Sequence, residues 1–319
     1  EKSLRYGPTY IIPKPIDPRL LVTVAPAVAK AAIESGVARK PITDWEAYEA
    51  ELYRRLGSDD NLLRFIINKA KQNPKRVVFA EAENLKVLKA AQIVKDEGIA
   101  IPILLGEEKK IRELIDANNL QLNDVTIIDP RSDEQAETRD KYGALFFWKR
   151  HRRGYNMYEA RKIMRERTYF GCMMVETNEA DALISGLTRQ YPNTLRPALE
   201  IIGMEENAKR VAGMYIVLTK KGPLFFADTT VNFNPTEDEL VDITLQTARA
   251  VEHLNIKPRI AMLSYSNFGS SASPEAITAR NAVARIKNMH PELIIDGEMQ
   301  AGVAFNKDLL RENYPFGMF

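Results

Sequence analysis

The chain has 319 residues, 45% of them hydrophobic and 28% charged, which fits a folded globular protein of about two domains and excludes fibrous, collagen-like and largely disordered classes. Lys and Arg number 45 against 43 Asp and Glu, so the net charge of +2 makes neither nucleic acid nor an anionic membrane the expected partner. No apolar stretch approaches the roughly 20 residues that a bilayer demands, and the one cysteine, Cys172, excludes an internal disulfide and fits a reducing, cytoplasmic setting.

Glu1 in place of Met opens the sequence without a signal-peptide pattern, which reads as a chain cut from a longer one. Pro8, Pro13, Pro15 and Pro18 then predict an extended strap from Tyr6 to Leu21. Ala25 to Ser35 is an Ala-rich helical pattern stopped by Gly36. Thr43-Asp44-Trp45-Glu46 reads as a capping box for a helix ending near Gly57, and Ser58-Asp59-Asp60 opens another that closes at Asn73-Pro74.

From there short apolar strands alternate with longer helices. Strands are expected at Arg76 to Ala80, Ile101 to Leu105 and Val125 to Ile128, with helices over Leu85 to Asp96 and Lys109 to Ala117. Further strands are expected at Ala182 to Ile184, Met214 to Leu218, Leu224 to Ala227, Ile260 to Ser264 and Leu293 to Ile295, and long helices at Glu237 to Leu254 and Pro274 to Asn288. The expected class is α/β with two lobes of parallel or mixed sheet flanked by helices, behind a Pro-rich and helical linker. The expected division is a linker over 1–57 and a domain over 58–319, with lobe one at about 58–150 and lobe two at about 151–319.

No two of the 16 glycines stand two apart, so G-x-G-x-x-G is absent, as is a P-loop. His151, His253 and His290 fit no metal-ligand spacing, and no metal is expected in this chain. The strongest positive feature is the hydroxyl-rich run from Ser264 through Ser266 and Ser270 to Ser273-Pro274, which leaves a strand and feeds a helix. Its hydroxyls and amides suit a phosphate or a polarised carbonyl; the alternative is a capped turn with no ligand. A second run, Ser185-Gly186-Leu187-Thr188-Arg189 to Thr194-Leu195-Arg196-Pro197, also follows a strand and offers Arg196 as a fork for phosphate or carboxylate. Lys149-Arg150-His151-Arg152-Arg153 turns only some of its cations one way. Glu81, Glu83 and Asp296-Gly297-Glu298 place carboxylates after strands, with capping or ion pairing as the alternative, and Cys172 reads as a buried, inert thiol.

These segments in this order, Val77-Val78-Phe79-Ala80-Glu81-Ala82-Glu83, Ala182 to Gly186, Thr194 to Leu199, Phe226-Ala227-Asp228, Ala261 to Ser266 and Asp296 to Gln300, resemble the phosphate acetyltransferase family. Tyr10 to Leu20 and Ala25 to Lys30 resemble the end of a bacterial malic enzyme, so the whole is similar to the hybrid NADP-dependent malic enzymes. The resemblance implies an acyl-CoA or phosphate cleft lined by Arg150, Ser185, Thr194, Arg196, Ser264, Ser266 and Ser270, and no catalytic residue in this chain. It implies a regulatory and assembly role beside a malic enzyme domain that uses NADP and Mg or Mn, in a homodimer or higher homo-oligomer, with a phosphate acetyltransferase moving acetyl between CoA and phosphate, or a purely structural dimerisation domain, as the alternatives. Phe268 stands where the family often has Lys, and Gly302 where it has an acidic residue. The family's last stretch, which carries its catalytic aspartate, has no counterpart before Phe319.

Overall fold

The structure is a computed structural model that describes residues 11–12, 17–55, 61–206, 208–219 and 222–317. In chain order its elements are α1 (Pro18–Glu34), α2 (Trp45–Arg55), α3 (Asn61–Gln72), β1 (Lys75–Phe79), α4 (Leu85–Asp96), β2 (Ala100–Leu105), α5 (Glu108–Ala117) and β3 (Thr126–Ile128). Then come α6 (Ala136–Arg150), α7 (Met157–Ile163), α8 (Arg167–Glu176), β4 (Ala182–Ile184), α9 (Tyr191–Ile201), β5 (Met214–Thr219) and β6 (Gly222–Ala227). The last are α10 (Glu237–Glu252), β7 (Arg259–Leu263), α11 (Pro274–Met289), β8 (Ile294–Met299), α12 (Ala301–Ala304) and α13 (Lys307–Asn313). Two compact units result: one takes α1 and α2 with the segment Tyr215–Phe226 of the β5–β6 pair, the other the remainder from Leu63.

In the larger unit four parallel strands run in the order β3-β2-β1-β4. Alternation along each strand explains why both faces are covered. Val77 and Phe79 of β1 and Leu104 of β2 meet Leu88 of α4 and Ile111 and Ile115 of α5 on one face. Val78, Ile103 and Leu105 meet Tyr142 and Phe146 of α6, Met164 and Phe170 on the other. Each fully buried side chain of this kind contributes about 1.5–3 kcal/mol. A second sheet pairs β7 and β8 in parallel, with Ile260, Met262 and Ile295 against α10 and α11 on one face and Ala261 and Met299 against Val303 and Leu310 on the other.

The expected strands and long helices are present within a few residues, and three expectations are corrected. α1 begins at Pro18, not Ala25, because proline's fixed φ suits the first helical turn, so the extended segment stops short of Leu21; most of that segment and residues 56–60 lie outside the described residues. Asp44, not Thr43, caps α2, its carboxylate accepting from the Ala47 amide at 2.9 Å. The first sheet also does not divide near residue 150, since β4 pairs with β1 through Val77, Val78 and Phe79.

Where α6 crosses α7, Gly143 leaves no room for a side chain: a Cβ there would stand 2.8 Å from the Arg161 Cα, which is backbone and cannot swing aside. We predict that Gly143→Ala destabilises the protein by about 1–3 kcal/mol in urea denaturation, by forcing the two helices apart. An unchanged midpoint would show that the crossing is looser than this.

Candidate functional site

The order β3-β2-β1-β4 places successive connections on opposite sides of β1, so the topological switch point lies between the carboxyl ends of β1 and β4. Both singled-out features meet there. β1 ends into Glu81, and β4 ends into the loop 185–190. The Glu81 carboxylate accepts from the amides of Gly186 at 2.8 Å, Leu187 at 2.7 Å and Thr188 at 2.9 Å, and from the Thr188 hydroxyl. Burial pushes Glu81 up, but these donors outweigh it and hold its pKa below the ordinary carboxylate value. Two residues on, Glu83 does the same for the loop after β2: it accepts from the Glu107 amide at 3.0 Å and pairs with Arg167 at 2.8 Å. Both strand-following carboxylates are therefore clamps on neighbouring loops.

Below the loop lies a pocket of about 380 Å³, walled by Cys172 and Val175 of α8, Leu183 of β4 and Ser185 just after it, and Thr194 and Ala198 of α9. It is largely apolar. Two polar atoms interrupt that lining: the hydroxyls of Ser185 and Thr194 are buried and have no hydrogen-bond partner among the described residues. Cys172 is buried at 1% exposure, and burial pushes its thiol up to about 12, which keeps it protonated and inert.

The two predicted arginines differ. Arg150 donates from Nε to the Glu200 carbonyl and from Nη2 to the Leu199 carbonyl, both at 2.6 Å, and Lys149 donates to the Ile201 carbonyl at 2.9 Å. These cations satisfy the last carbonyls of α9, as a helix C-terminus requires. Arg196, in the second turn of the same helix, is exposed and makes no hydrogen bond or ion pair among the described residues. Near it Glu200 accepts from the hydroxyls of Tyr155 at 3.1 Å and Tyr169 at 2.6 Å, a cluster that no sequence spacing announced.

The serine loop gathers on the other sheet. The register of β7 against β8 skips Glu298, because Met262 faces Gly297 and Leu263 faces Met299. An extra residue of this kind re-aims its side chain, and the Glu298 carboxylate enters the loop. It accepts from the Ser266 hydroxyl at 3.0 Å, the Gly269 amide at 2.8 Å and Arg280 of α11 at 3.1 Å. Ser266 and Ser270 hydroxyls lie 3.1 Å apart, Ser264 accepts from the Ser266 amide at 3.3 Å, and Ser273 caps α11 above Pro274. Thus β8 continues through the Asp-Gly-Glu motif instead of ending at Ile295. Gly297 is required there: a Cβ would stand 2.6 Å from the Met262 carbonyl oxygen. Asp296 pairs with Lys287 at 2.8 Å. Phe268, in place of a cation, meets Tyr314 at a tilt and Phe316 edge to face, at 4.8 and 5.1 Å between ring centres.

The predicted residues thus fall into two groups, Arg150, Ser185, Thr194 and Arg196 around α9, and Ser264, Ser266 and Ser270 around Glu298. Among the described residues no group of three or more His, Cys, Asp or Glu is placed to hold a metal ion, and no helix is long and apolar enough to cross a membrane.

The sequence profile described as phosphate acetyl/butaryl transferase matches residues 61–318. The chain belongs to that family. A phosphotransacetylase from Streptococcus pyogenes superposes with a TM-score of 0.72 at 28% identity, covering 82% of this chain and 79% of that one. The phosphate acetyltransferase of Thermoanaerobacterium thermosaccharolyticum is 36% identical over 262 residues, 80% of this chain and 78% of that protein. The NADP-dependent malic enzyme of Escherichia coli is 38% identical over 319 residues, 99% of this chain and 42% of that enzyme. The chain therefore spans about two fifths of the length of the malic enzyme it matches. The phosphate acetyl/butaryl transferase fold accounts for the parallel sheet flanked by helices, and both loops lie within the matched segment.

Glu298 has no exposed side-chain surface, and burial pushes it up; Arg280, the Gly269 amide and the Ser266 hydroxyl outweigh this and hold it at about 2. Its folded value lies below its unfolded one, so its contribution is complete above the ordinary carboxylate pKa of about 4.3 and is lost as pH falls toward 2. Arg280 keeps 40% of its side chain exposed, which reduces the cost of losing the pair. We predict that Glu298→Gln destabilises the protein by about 2 kcal/mol at neutral pH and that the difference from wild type shrinks between about pH 4.3 and 2. Urea denaturation as a function of pH measures both.

Proposed function

We propose that the chain is the C-terminal regulatory and assembly part of an NADP-dependent malic enzyme, binding acetyl-CoA or a related acyl-CoA as an effector. One observation carries this reading. The transferase profile begins at residue 61, whereas likeness to malic enzymes takes in 99% of the chain, so α1 and α2 are shared with malic enzymes beyond the transferase segment. The parent reaction would convert malate and NADP+ to pyruvate, CO2 and NADPH with Mg or Mn. The described residues offer no metal group, so the reading puts NADP and the metal on the malate-oxidising part, which becomes this chain's partner. It makes the protein cytoplasmic, as the lone cysteine suggests.

An apolar pocket with two unpartnered hydroxyls and an exposed arginine on one helix supports acyl-CoA binding. The serine hydroxyls of the second loop are engaged by Glu298 and by one another, which supports holding a ligand over activating a nucleophile. Assembly is proposed as a two-fold homodimer through the second lobe, burying about 1,600 Å². Leu240, Val241 and Leu245 of α10 pack on the sheet of their own lobe, so β5, which groups with α1 and α2 and where Tyr215, Ile216, Val217 and Leu218 are 40–55% exposed, is the better patch. A second reading, acetyl transfer between CoA and phosphate, is favoured by the 36% identity to a phosphate acetyltransferase. Acetyl-CoA formation from acetyl phosphate and CoA, lost in Arg196→Ala, would establish it.

The test is titration of the full-length enzyme's malate oxidation with acetyl-CoA, repeated after deletion beyond residue 57. The reading predicts a response that the deletion abolishes, and an unaltered response after deletion would refute it. Arg196→Ala should weaken acetyl-CoA binding about tenfold in calorimetry while stability stays within about 0.5 kcal/mol, since the side chain is exposed.

A further inference from the structure

Three consecutive amides rarely point at one atom group without an anion between them. Gly186, Leu187 and Thr188 form such a backbone nest, and φ of +114° at Gly186 turns the chain into it. The loop is otherwise open to water, Leu187 being 52% exposed. The anion in the nest is supplied by the protein itself, as the Glu81 side chain from the neighbouring strand. Either side of the nest lies a pocket hydroxyl: Ser185 precedes Gly186, and a Cβ on Gly186 would stand 3.7 Å from the Thr194 hydroxyl oxygen. They are two of the three buried hydroxyls that have no partner among the described residues, the third being that of Thr168.

We infer that Glu81 is a positioning residue: it is the resident anion of the nest and fixes the loop so that the Ser185 and Thr194 hydroxyls stay on the pocket wall for a ligand. The nest itself recognises a carboxylate, not the rest of a glutamate chain. A small free carboxylate should therefore replace Glu81 once its side chain is removed. The role in ligand binding rests on the acyl-CoA reading above, whereas the nest and its exchangeable anion do not.

The experiment is amide hydrogen exchange on the full chain, followed by calorimetry with acetyl-CoA, for wild type and Glu81→Ala, each with and without formate. In wild type the amides of Gly186, Leu187 and Thr188 should exchange about a hundredfold slower than an open loop. Glu81→Ala should lose that protection and about tenfold in acetyl-CoA affinity, and formate should restore both while leaving wild type unchanged. Asp181→Asn, which breaks the 3.0 Å pair with Arg76 at the far end of β4, should lose stability but keep acetyl-CoA affinity. Fast exchange of the three amides in wild type would overturn the inference, a result that needs no variant to fold. So would a folded Glu81→Ala protein that formate leaves unprotected, or equal loss of affinity in Asp181→Asn. If wild type binds no acetyl-CoA, the acyl-CoA reading and the ligand role fall together, and the exchange data alone decide whether Glu81 is the nest's anion.

Discussion

A carboxylate buried at the end of a parallel strand must be met by donors, and in this protein those donors are the loops that follow the adjacent strands. Glu81 and Glu83 stand two residues apart in the turn that follows β1, and that turn sends one to the loop after β4 and the other to the start of α5 after β2. Glu298, displaced by the register shift in β8, does the same for the loop after β7. Charge without partners would be too costly in these positions, so each carboxylate selects the loop conformation that satisfies it. The loops are shaped before any ligand arrives.

This constraint changes what the hydroxyl-rich loops mean. A strand-to-helix loop full of serines and amides reads as an open cradle for phosphate, yet the central donors of both loops are already engaged by the protein's own anions. What is left facing a cavity is modest, two hydroxyls in an apolar lining, with Arg196 outside it on the exposed side of α9. The fold is that of the phosphate acetyl/butaryl transferase family, and likeness to malic enzymes extends over the helices before it.

Much of the fold was legible because it follows from local rules. The apolar runs at Val77 to Phe79 and Ile103 to Leu105 are buried on both faces and so read as parallel strands, and Ser273 with Pro274 announced the start of α11. The site was legible only in part. Ser185, Thr194 and Arg196 are singled out by their position after a strand, and the structure gathers them around α9, but the commitment of Arg150 to carbonyls 49 and 50 residues away has no sequence signature. Nor has the one-residue shift that turns Glu298 toward Ser266 across 32 residues of chain. Both are products of tertiary register. The lobe boundary failed for the same reason, since a three-residue strand at Ala182 declares its sheet only through its neighbour.

The most direct measurement is the titration of the side-chain carboxyls of Glu81, Glu83 and Glu298 by carbon-13 NMR. If strand-end carboxylates hold the loops, all three titrate below the ordinary glutamate value of about 4.3, with Glu298 lowest at about 2. Titration of Glu81 and Glu298 at or above the ordinary value would mean that their donors do not hold them as ions, and the account of both loops would fail.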